Sequence, residues 1–382
     1  MLESVPATEY QIQSLTSGWN WYSTYIEQDN TDGLEALENS LGHKGVTIKS
    51  NGQFVTNYYE NVGYDYWYGG LESIDNEQGY MINTSEACNV VLSGAKATPE
   101  NHTITIRPNW NWIGYPVDQQ QLLTSSISNT FQPANNDIMK SHGEFTTYYA
   151  GYGWYPNDFV MTPGKGYMYK SNSDTNKTLT YTVSREAMPE QAENYDYQWT
   201  PETNRYADNM SVIAVVEVEG DEMRENMEVG AFVNGECRGT AILRYFEPTD
   251  RYYAMLSVSG EAGDKVTFKL YDAEGENIIN FSENAVLGTL DNPLVLRFGE
   301  SMNITTDVSL YPNPVDKNTE FTLDIPSTEK ITEVIITNAI GEIVMHEVCN
   351  NNVIKGISHS GVYNIRVITE RGCIYNGRII VK

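Results

Sequence analysis

Basic residues are scarce in this chain, with 24 Lys and Arg against 51 Asp and Glu and a formal net charge of −27. Binding to a phosphate backbone needs concentrated positive charge, so the composition argues against a nucleic-acid partner. The deficit is uneven. Residues 307–382 hold 9 acidic and 7 basic residues, which leaves −25 on the first 306, and the C-terminal stretch reads as a different kind of domain.

Cysteine is also sparse. Cys88, Cys237, Cys349 and Cys373 show no CxxC or other close ligand spacing. Cys349 and Cys373 could pair in an oxidising compartment or remain buried thiols. Long apolar runs are missing, since nothing approaches the roughly 18 residues of a membrane span. The start, MLESVPATEY, has neither the basic nor the apolar region of a signal peptide.

Catalytic constellations are missing too. His43, His102, His142, His346 and His359 are scattered, and there is no HExxH, GxSxG or Gly-rich phosphate loop. GISHSG at 356–361 has Ser360 where a nucleophile elbow needs its second Gly, and it reads as a turn. No catalytic residue, metal ligand or cofactor is expected. A pair of glycosidase carboxylates is not identifiable by counting among 51 acids, because their separation in space defines them.

Aromatic residues, by contrast, are abundant, with 27 Tyr and 7 Trp in 382 residues that are 40% hydrophobic, enough for several cores. They repeat. Trp19-Asn20-Trp21 aligns with Trp110-Asn111-Trp112 at an offset of 91, and KSNGQFVTNY (49–58) aligns with KSHGEFTTYY (140–149) at the same offset. After a four-residue deletion the offset is 87, and Trp67 meets Trp154 while Gly79-Tyr80-Met81 meets Gly166-Tyr167-Met168. Two homologous modules are therefore expected, at 1–97 and 98–185.

Each module reads as mostly β, with a short helix at 34–41 or 120–129 after the cap-like Asp32 or Asp118, and a hairpin turning at Gly52 or Gly143. Alternation puts Trp19 and Trp21 on one face, and the expectation is that these two, with Trp110 and Trp112, fill two small cores. Trp67, Tyr68, Trp154 and Tyr155 lie in the Gly- and Tyr-rich loops GYDYWYGG (63–70) and GYGWYPND (151–158). They are the candidate glycan-binding residues, because an aromatic face stacks on the apolar face of a sugar ring and loops commonly carry binding groups.

After a polar linker at 186–197, short alternating strands separated by Gly, Asp and Asn turns predict an Ig-like β-sandwich over 198–300. The stretch EVGAFVNGECRG resembles segments of Ig-like modules in secreted Bacteroidetes proteins, a resemblance that carries no activity. Residues 272–277, DAEGEN, have some calcium-loop character but sit between strands and lack the distal Glu, so they read as a hairpin turn. The overall class is mainly β and multidomain: two repeated β-rich modules, each with a short helix, followed by two β-sandwich domains.

Residues 307–382 resemble the C-terminal type A sorting domain of the type IX secretion system. The matching elements are Tyr311-Pro312-Asn313-Pro314 in DVSLYPNPV, the Asn338–Gly341 turn, the Gly361-Val362-Tyr363 strand, and GRIIVK ending on Lys382. ISHSG stands where a leucine-rich lead-in is usual. The resemblance implies an address: export by that machinery, removal of the tail and attachment to the outer cell surface. With no signal peptide visible, it also implies that the chain is the C-terminal part of a longer precursor.

Two functions fit these readings. One is a non-catalytic surface protein whose modules act in adhesion, binding an extracellular glycan or a host-surface protein. The other is an accessory stalk for a secreted enzyme whose catalytic domain lies upstream.

Overall fold

The computed structural model describes residues 8–28, 31–184, 197–218, 223–225, 227–261, 263–272, 277–282, 294–298, 306–325, 330–338, 342–347, 352–369 and 374–382. The protein is mainly β. Each repeat is a five-stranded antiparallel sheet with a two-stranded ribbon closing one face. In the first repeat the sheet order is Gly18–Tyr22, Tyr80–Thr84, Gly45–Lys49, Phe54–Asn57, Trp67–Gly69, and the ribbon pairs Glu9–Leu15 with Cys88–Gly94. The second repeat has the same order, Asn109–Ile113, Tyr167–Ser171, Ile138–Lys140, Phe145–Tyr149, Gly153–Tyr155, with a ribbon of Thr103–Ile106 and Lys177–Thr180.

Between sheet and ribbon lie the cores. Tyr22, Ile48, Val55, Tyr80 and Ile82 fill the first, with Leu34, Leu37 and Leu41 from the helix Thr31–Leu41. Ile113, Tyr115, Met139, Trp154, Tyr167 and Tyr169 fill the second. The second helix is shorter than its spacing predicts, only Leu123–Ser126, preceded by the strand Gln121–Leu122. Gln121 explains this: its amide donates to Thr182 O at 2.7 Å and its oxygen accepts Ser184 N–H at 2.8 Å, which holds the backbone extended. The Ser/Thr-rich segment has little helix propensity to oppose that. Asp118 caps nothing and pairs with Lys96 at 2.5 Å.

The repeats pack about a pseudo-twofold axis. Ser23 N–H donates to Gly164 O at 3.1 Å, and the repeat-equivalent Gly114 N–H donates to Glu77 O at 2.8 Å, the same bond made in both directions. His102 of the second repeat adds a clamp, with Nδ1 2.7 Å from Glu77 and Nε2 3.1 Å from Glu27 of the first. The Glu77 bond raises the pKa of His102 above 6.5 against desolvation, and the same bond lowers that of Glu77 below 4.5. The histidine's contribution is full below its unfolded pKa and is lost as pH rises through its raised value. The glutamate's is present above its unfolded pKa and lost as pH falls through its depressed one. The clamp is therefore strongest from about pH 4.5 to 6.5. Melting of the full chain is expected to decline from pH 6 to 8 more steeply than that of His102→Gln, and parallel pH profiles would disprove the clamp.

The third unit is a β-sandwich. One sheet has the order Arg244–Phe246, Arg251–Ser259, Asn209–Val218, Leu294–Phe298, and the other Glu236–Ile242, Met227–Val233, Thr267–Asp272, Asn277–Ser282. Thr267–Asp272 and Asn277–Ser282 pair as a hairpin, while residues 273–276, which hold most of the calcium-loop motif, lie outside the described residues. Within the strand Asn209–Val218, residues 211–216 are buried on both faces. Val212, Ala214 and Val216 enter the sandwich core, and Ile213 and Val215 meet the second repeat, which accounts for its unbroken apolar run.

The C-terminal unit packs a five-stranded sheet (Thr306–Asp307, Ile374–Val381, Gly361–Thr369, Ile331–Thr337, Ile343–Glu347) on a three-stranded one (Ser309–Tyr311, Phe321–Asp324, Val353–Ile354). Asn313 ties the Pro-Asn-Pro stretch to the last strand, accepting Ile380 N–H at 2.9 Å and donating to Arg378 O at 2.7 Å. Tyr311 projects outward, Tyr363 enters the core, Gly361 pairs with Val381, and the Lys382 N–H donates to Val315 O at 2.9 Å. Gly341, Cys349 and Cys373 lie outside the described residues. Among those described, no helix is long and apolar enough to cross a membrane, and no three His, Cys, Asp or Glu converge as metal ligands.

Candidate functional site: two aromatic sheet faces

None of the four repeated tryptophans belongs to the core of its own repeat, although Trp21 is buried where the two repeats meet. In Gly18–Tyr22 the core side is taken by Asn20 and Tyr22, so Trp19 and Trp21 emerge on the opposite face with Lys49 and Met81. Trp110 and Trp112 do the same beside Lys140 and Met168. The intervening Asn is structural. Asn20 accepts Thr16 N–H at 3.0 Å and donates to Thr16 O at 2.8 Å, and Asn111 makes both bonds to Arg107 at 2.8 Å. It closes the turn into the strand, where Gly18 (φ 90°) and Asn109 (φ 69°) occupy the same left-handed position.

These tryptophans flank the pseudo-twofold axis. Lys49 lies over Trp19 of its own repeat (4.6 Å) and Trp112 of the other (5.8 Å), and Lys140 lies over Trp110 (4.9 Å) and Trp21 (5.8 Å). His142 stacks on Trp21 at 5.4 Å. Each motif therefore contributes one Trp to its own lysine and one to the partner repeat's, a cross-strapped arrangement of cation–π contacts.

The two outer faces then diverge in fate. The second is capped by the sandwich, where Phe145, Tyr149 and Tyr155 pack against Ile213, Val215, Phe246 and Tyr253. Asn209 donates to His142 O at 2.6 Å, and Arg244 pairs with Asp158 at 2.8 Å. The first is open. Its repeat equivalents Phe54, Tyr58 and Tyr68 are 55%, 40% and 65% exposed, against 3%, 8% and 7% for the capped trio.

Beside that open face the loop builds a row of rings. Tyr64, Tyr66 and Tyr68 alternate along an extended segment, with centroids 6.3 and 6.4 Å apart, and Tyr58 stands 6.4 Å from Tyr66. Asn57 anchors the row, accepting the N–H groups of Tyr59 (3.1 Å) and Tyr66 (3.0 Å) and donating to Asp65 at 3.1 Å.

The sequence-based candidates fall on different sides of this division. Tyr68 belongs to the exposed row. Trp67 is half-buried on the first core, its ring over Gly45, and backs the row from below. Trp154 lies inside the second core, edge-on to Tyr148 and Tyr169, and Tyr155 is sealed against Phe246 at 4.6 Å, so no sugar reaches either. Phe54, Tyr58, Tyr64 and Tyr66 were not singled out by sequence, although their alternation with Asn57, Asp65 and Trp67 was readable.

A cavity of about 530 Å³ remains where the sandwich edge meets the second face. Trp110 and Trp112 wall it, Lys140 and Lys170 enter it, and Asn136, Asn172 and Asp208 line it.

No protein-family model matches the chain, and no curated protein matches it. Among solved structures, the fibronectin(III)-like modules of Clostridium thermocellum CbhA align at 12% identity over 45% of this chain and 94% of theirs, with a TM-score of 0.19. A Bacteroides ovatus surface glycan-binding protein, SGBP-B of a mixed-linkage glucan utilization locus in complex with a mixed-linkage heptasaccharide, aligns at 10% identity over 98% of this chain and 70% of its own, with a TM-score of 0.16. Overlays with TM-scores this low carry no argument, and the site is read from its own geometry.

Proposed function

We propose that this chain is the non-catalytic, glycan-binding part of an exported surface protein, and that a neutral glycan lies along the Tyr64–Tyr66–Tyr68 row of the first repeat. The observation that carries the reading is that Phe54, Tyr58 and Tyr68 stand open where their aromatic equivalents Phe145, Tyr149 and Tyr155 are capped by the sandwich, and that Tyr64 and Tyr66, whose equivalents are Gly151 and Gly153, extend the open surface of the first repeat alone. Exposed, anchored rings lose little entropy on binding and offer flat apolar faces, while Asn57 and Asp65 hold the row in place. The net charge of −27 favours a neutral polymer over a polyanion.

Binding without hydrolysis fits the chemistry present. The cavity offers a single carboxylate, Asp208, where glycoside hydrolysis ordinarily takes two. In this reading the C-terminal unit, through Tyr311-Pro312-Asn313-Pro314, Gly361-Val362-Tyr363 and Lys382, addresses the chain to the type IX machinery and the cell surface.

Affinity electrophoresis through gels holding neutral β-glucan, xylan or mannan tests the proposal. The parent is expected to be retarded by at least one polymer. Tyr66→Ala and Tyr68→Ala should each weaken retention about tenfold or more, as for aromatic hot spots, with melting within about 0.5 kcal/mol of the parent because the rings are exposed. A parent that migrates freely through every neutral gel would leave the row to a protein partner.

A further inference from the structure

We infer that the cavity between the second repeat and the sandwich is a separate binding site, built for a saccharide unit that bears one carboxylate, such as a hexuronate. In a chain with about two acids for every base, two lysines enter one cavity with no carboxylate within ion-pair distance among the described residues. Other described lysines without an ion pair, such as Lys49, Lys165 and Lys269, are not buried, whereas Lys140 is.

Lys140 is buried at 4% exposure, and among the described residues its ammonium bonds to neutral oxygens, Asn209 O at 3.1 Å and Asn209 Oδ1. Besides amides and indole rings, the one carboxylate near it among the described residues is Asp208, whose charge offsets the desolvation of Lys140 only in part, so the buried cation keeps a cost that a bound anion would relieve. That cost is visible in its pKa, pushed down to about 8 by burial.

Shape and chemistry point to a sugar acid rather than a plain anion. About 530 Å³ is within the range of small-ligand sites and exceeds the needs of an inorganic ion. Trp110 remains 40% exposed at the wall with the Lys140 ammonium 4.9 Å from its ring centroid, and its exposed indole surface can stack on the apolar face of a pyranose beside that charge. Asn136, Asn172 and Asp208 place hydroxyl partners at the same wall. The acidic surface beyond disfavours a long polyanion, so the unit recognised is a single acidic residue, free or at the end of a glycan.

Titration of the full chain with sodium D-glucuronate, followed by tryptophan fluorescence and calorimetry, tests this. D-glucose is the neutral control and sodium acetate the plain-anion control. Saturable binding of glucuronate, at least tenfold tighter than glucose or acetate, is expected, as for a charge-assisted hydrogen bond. Lys170→Gln and Trp110→Ala should each weaken it by a similar factor without unfolding. Both positions are at least partly exposed, so the test does not depend on Lys140→Met folding.

The titratable groups around Lys140 are Asp208, His142 and Lys170. Burial pushes the His142 pKa down to about 4 and keeps the ring neutral near pH 7. Affinity should therefore fall as pH rises past 8 and Lys140 loses its proton. Equal affinity for glucose and glucuronate, equal affinity for acetate, or no saturation by glucuronate overturns the proposal. Tyr68→Ala should leave glucuronate binding intact, so failure here and failure of the tyrosine row are separately visible.

Discussion

Phe246→Ala is expected to release the sandwich from the second repeat at a cost of about 3–5 kcal/mol, the range for removing an aromatic ring from a packed core. Phe246 ends the strand Arg244–Phe246 and is the centre of the junction, with its ring 5.5 Å from Tyr149, 4.8 Å from Tyr152, 4.6 Å from Tyr155 and 6.0 Å from Tyr253. Among the described residues no other touches both the sheet face of the repeat and the outer face of the sandwich through so many rings. The polar bonds across the same junction, Arg244 to Asp158 near Phe246 and Asn209 to His142 O at the other end of the sheet, depend on the two faces meeting. In calorimetry the parent should unfold the second repeat and the sandwich in one transition, and the variant should split them. A variant that retains a single transition at the parental temperature would mean that Phe246 does not hold the junction.

The same junction marks where local sequence stops being informative. Alternation within Gly18–Tyr22 leaves two possible faces, Trp19 with Trp21 or Asn20 with Tyr22, and ring size favours the wrong one. The neighbouring strands decide. Tyr22 shares its side with Ile48, Val55, Tyr80 and Ile82, whereas the tryptophans share theirs with Thr47, Lys49, Thr56 and Asn83 as well as Phe54 and Met81. A core face must be apolar across every strand, so the assignment was legible once the whole sheet was considered. The repeat, the hairpins at Gly52 and Gly143 and the β class follow from short-range pattern and were readable directly. That the sandwich covers one repeat and not the other was not. Phe54 and Phe145 occupy the same position in the same motif, and their burial differs because of a domain that begins some 50 residues after Phe145. For this reason Tyr68 and Tyr155, equal as candidates by sequence, are opposites in the structure.

Gly166→Ala is expected to open the seam between the repeats at a cost of about 1–3 kcal/mol, the usual range for forcing a methyl group into a packed site. A Cβ at Gly166 would stand 2.5 Å from Tyr22 O and 3.0 Å from Tyr22 N, and one at Gly79 would stand 2.8 Å from Ile113 O. These are backbone atoms of buried strands, so neither can swing aside. The two glycines are repeat equivalents and face each other's repeat across the axis, in a seam also lined by Trp21, Trp112, Met81 and Met168. Gly79→Ala should therefore cost somewhat less than Gly166→Ala. The double variant should cost less than the sum, because a seam already forced apart accommodates the second methyl group. Gly143→Ala is the control, since nothing lies within 4 Å of a Cβ there. Urea denaturation of the full chain, with tryptophan fluorescence reporting on Trp21 and Trp112 at the axis, gives all four values. If Gly166→Ala is no less stable than Gly143→Ala, the seam gives way without cost, and the pairing of the repeats must rest on the lysine–tryptophan straps and the His102 clamp instead.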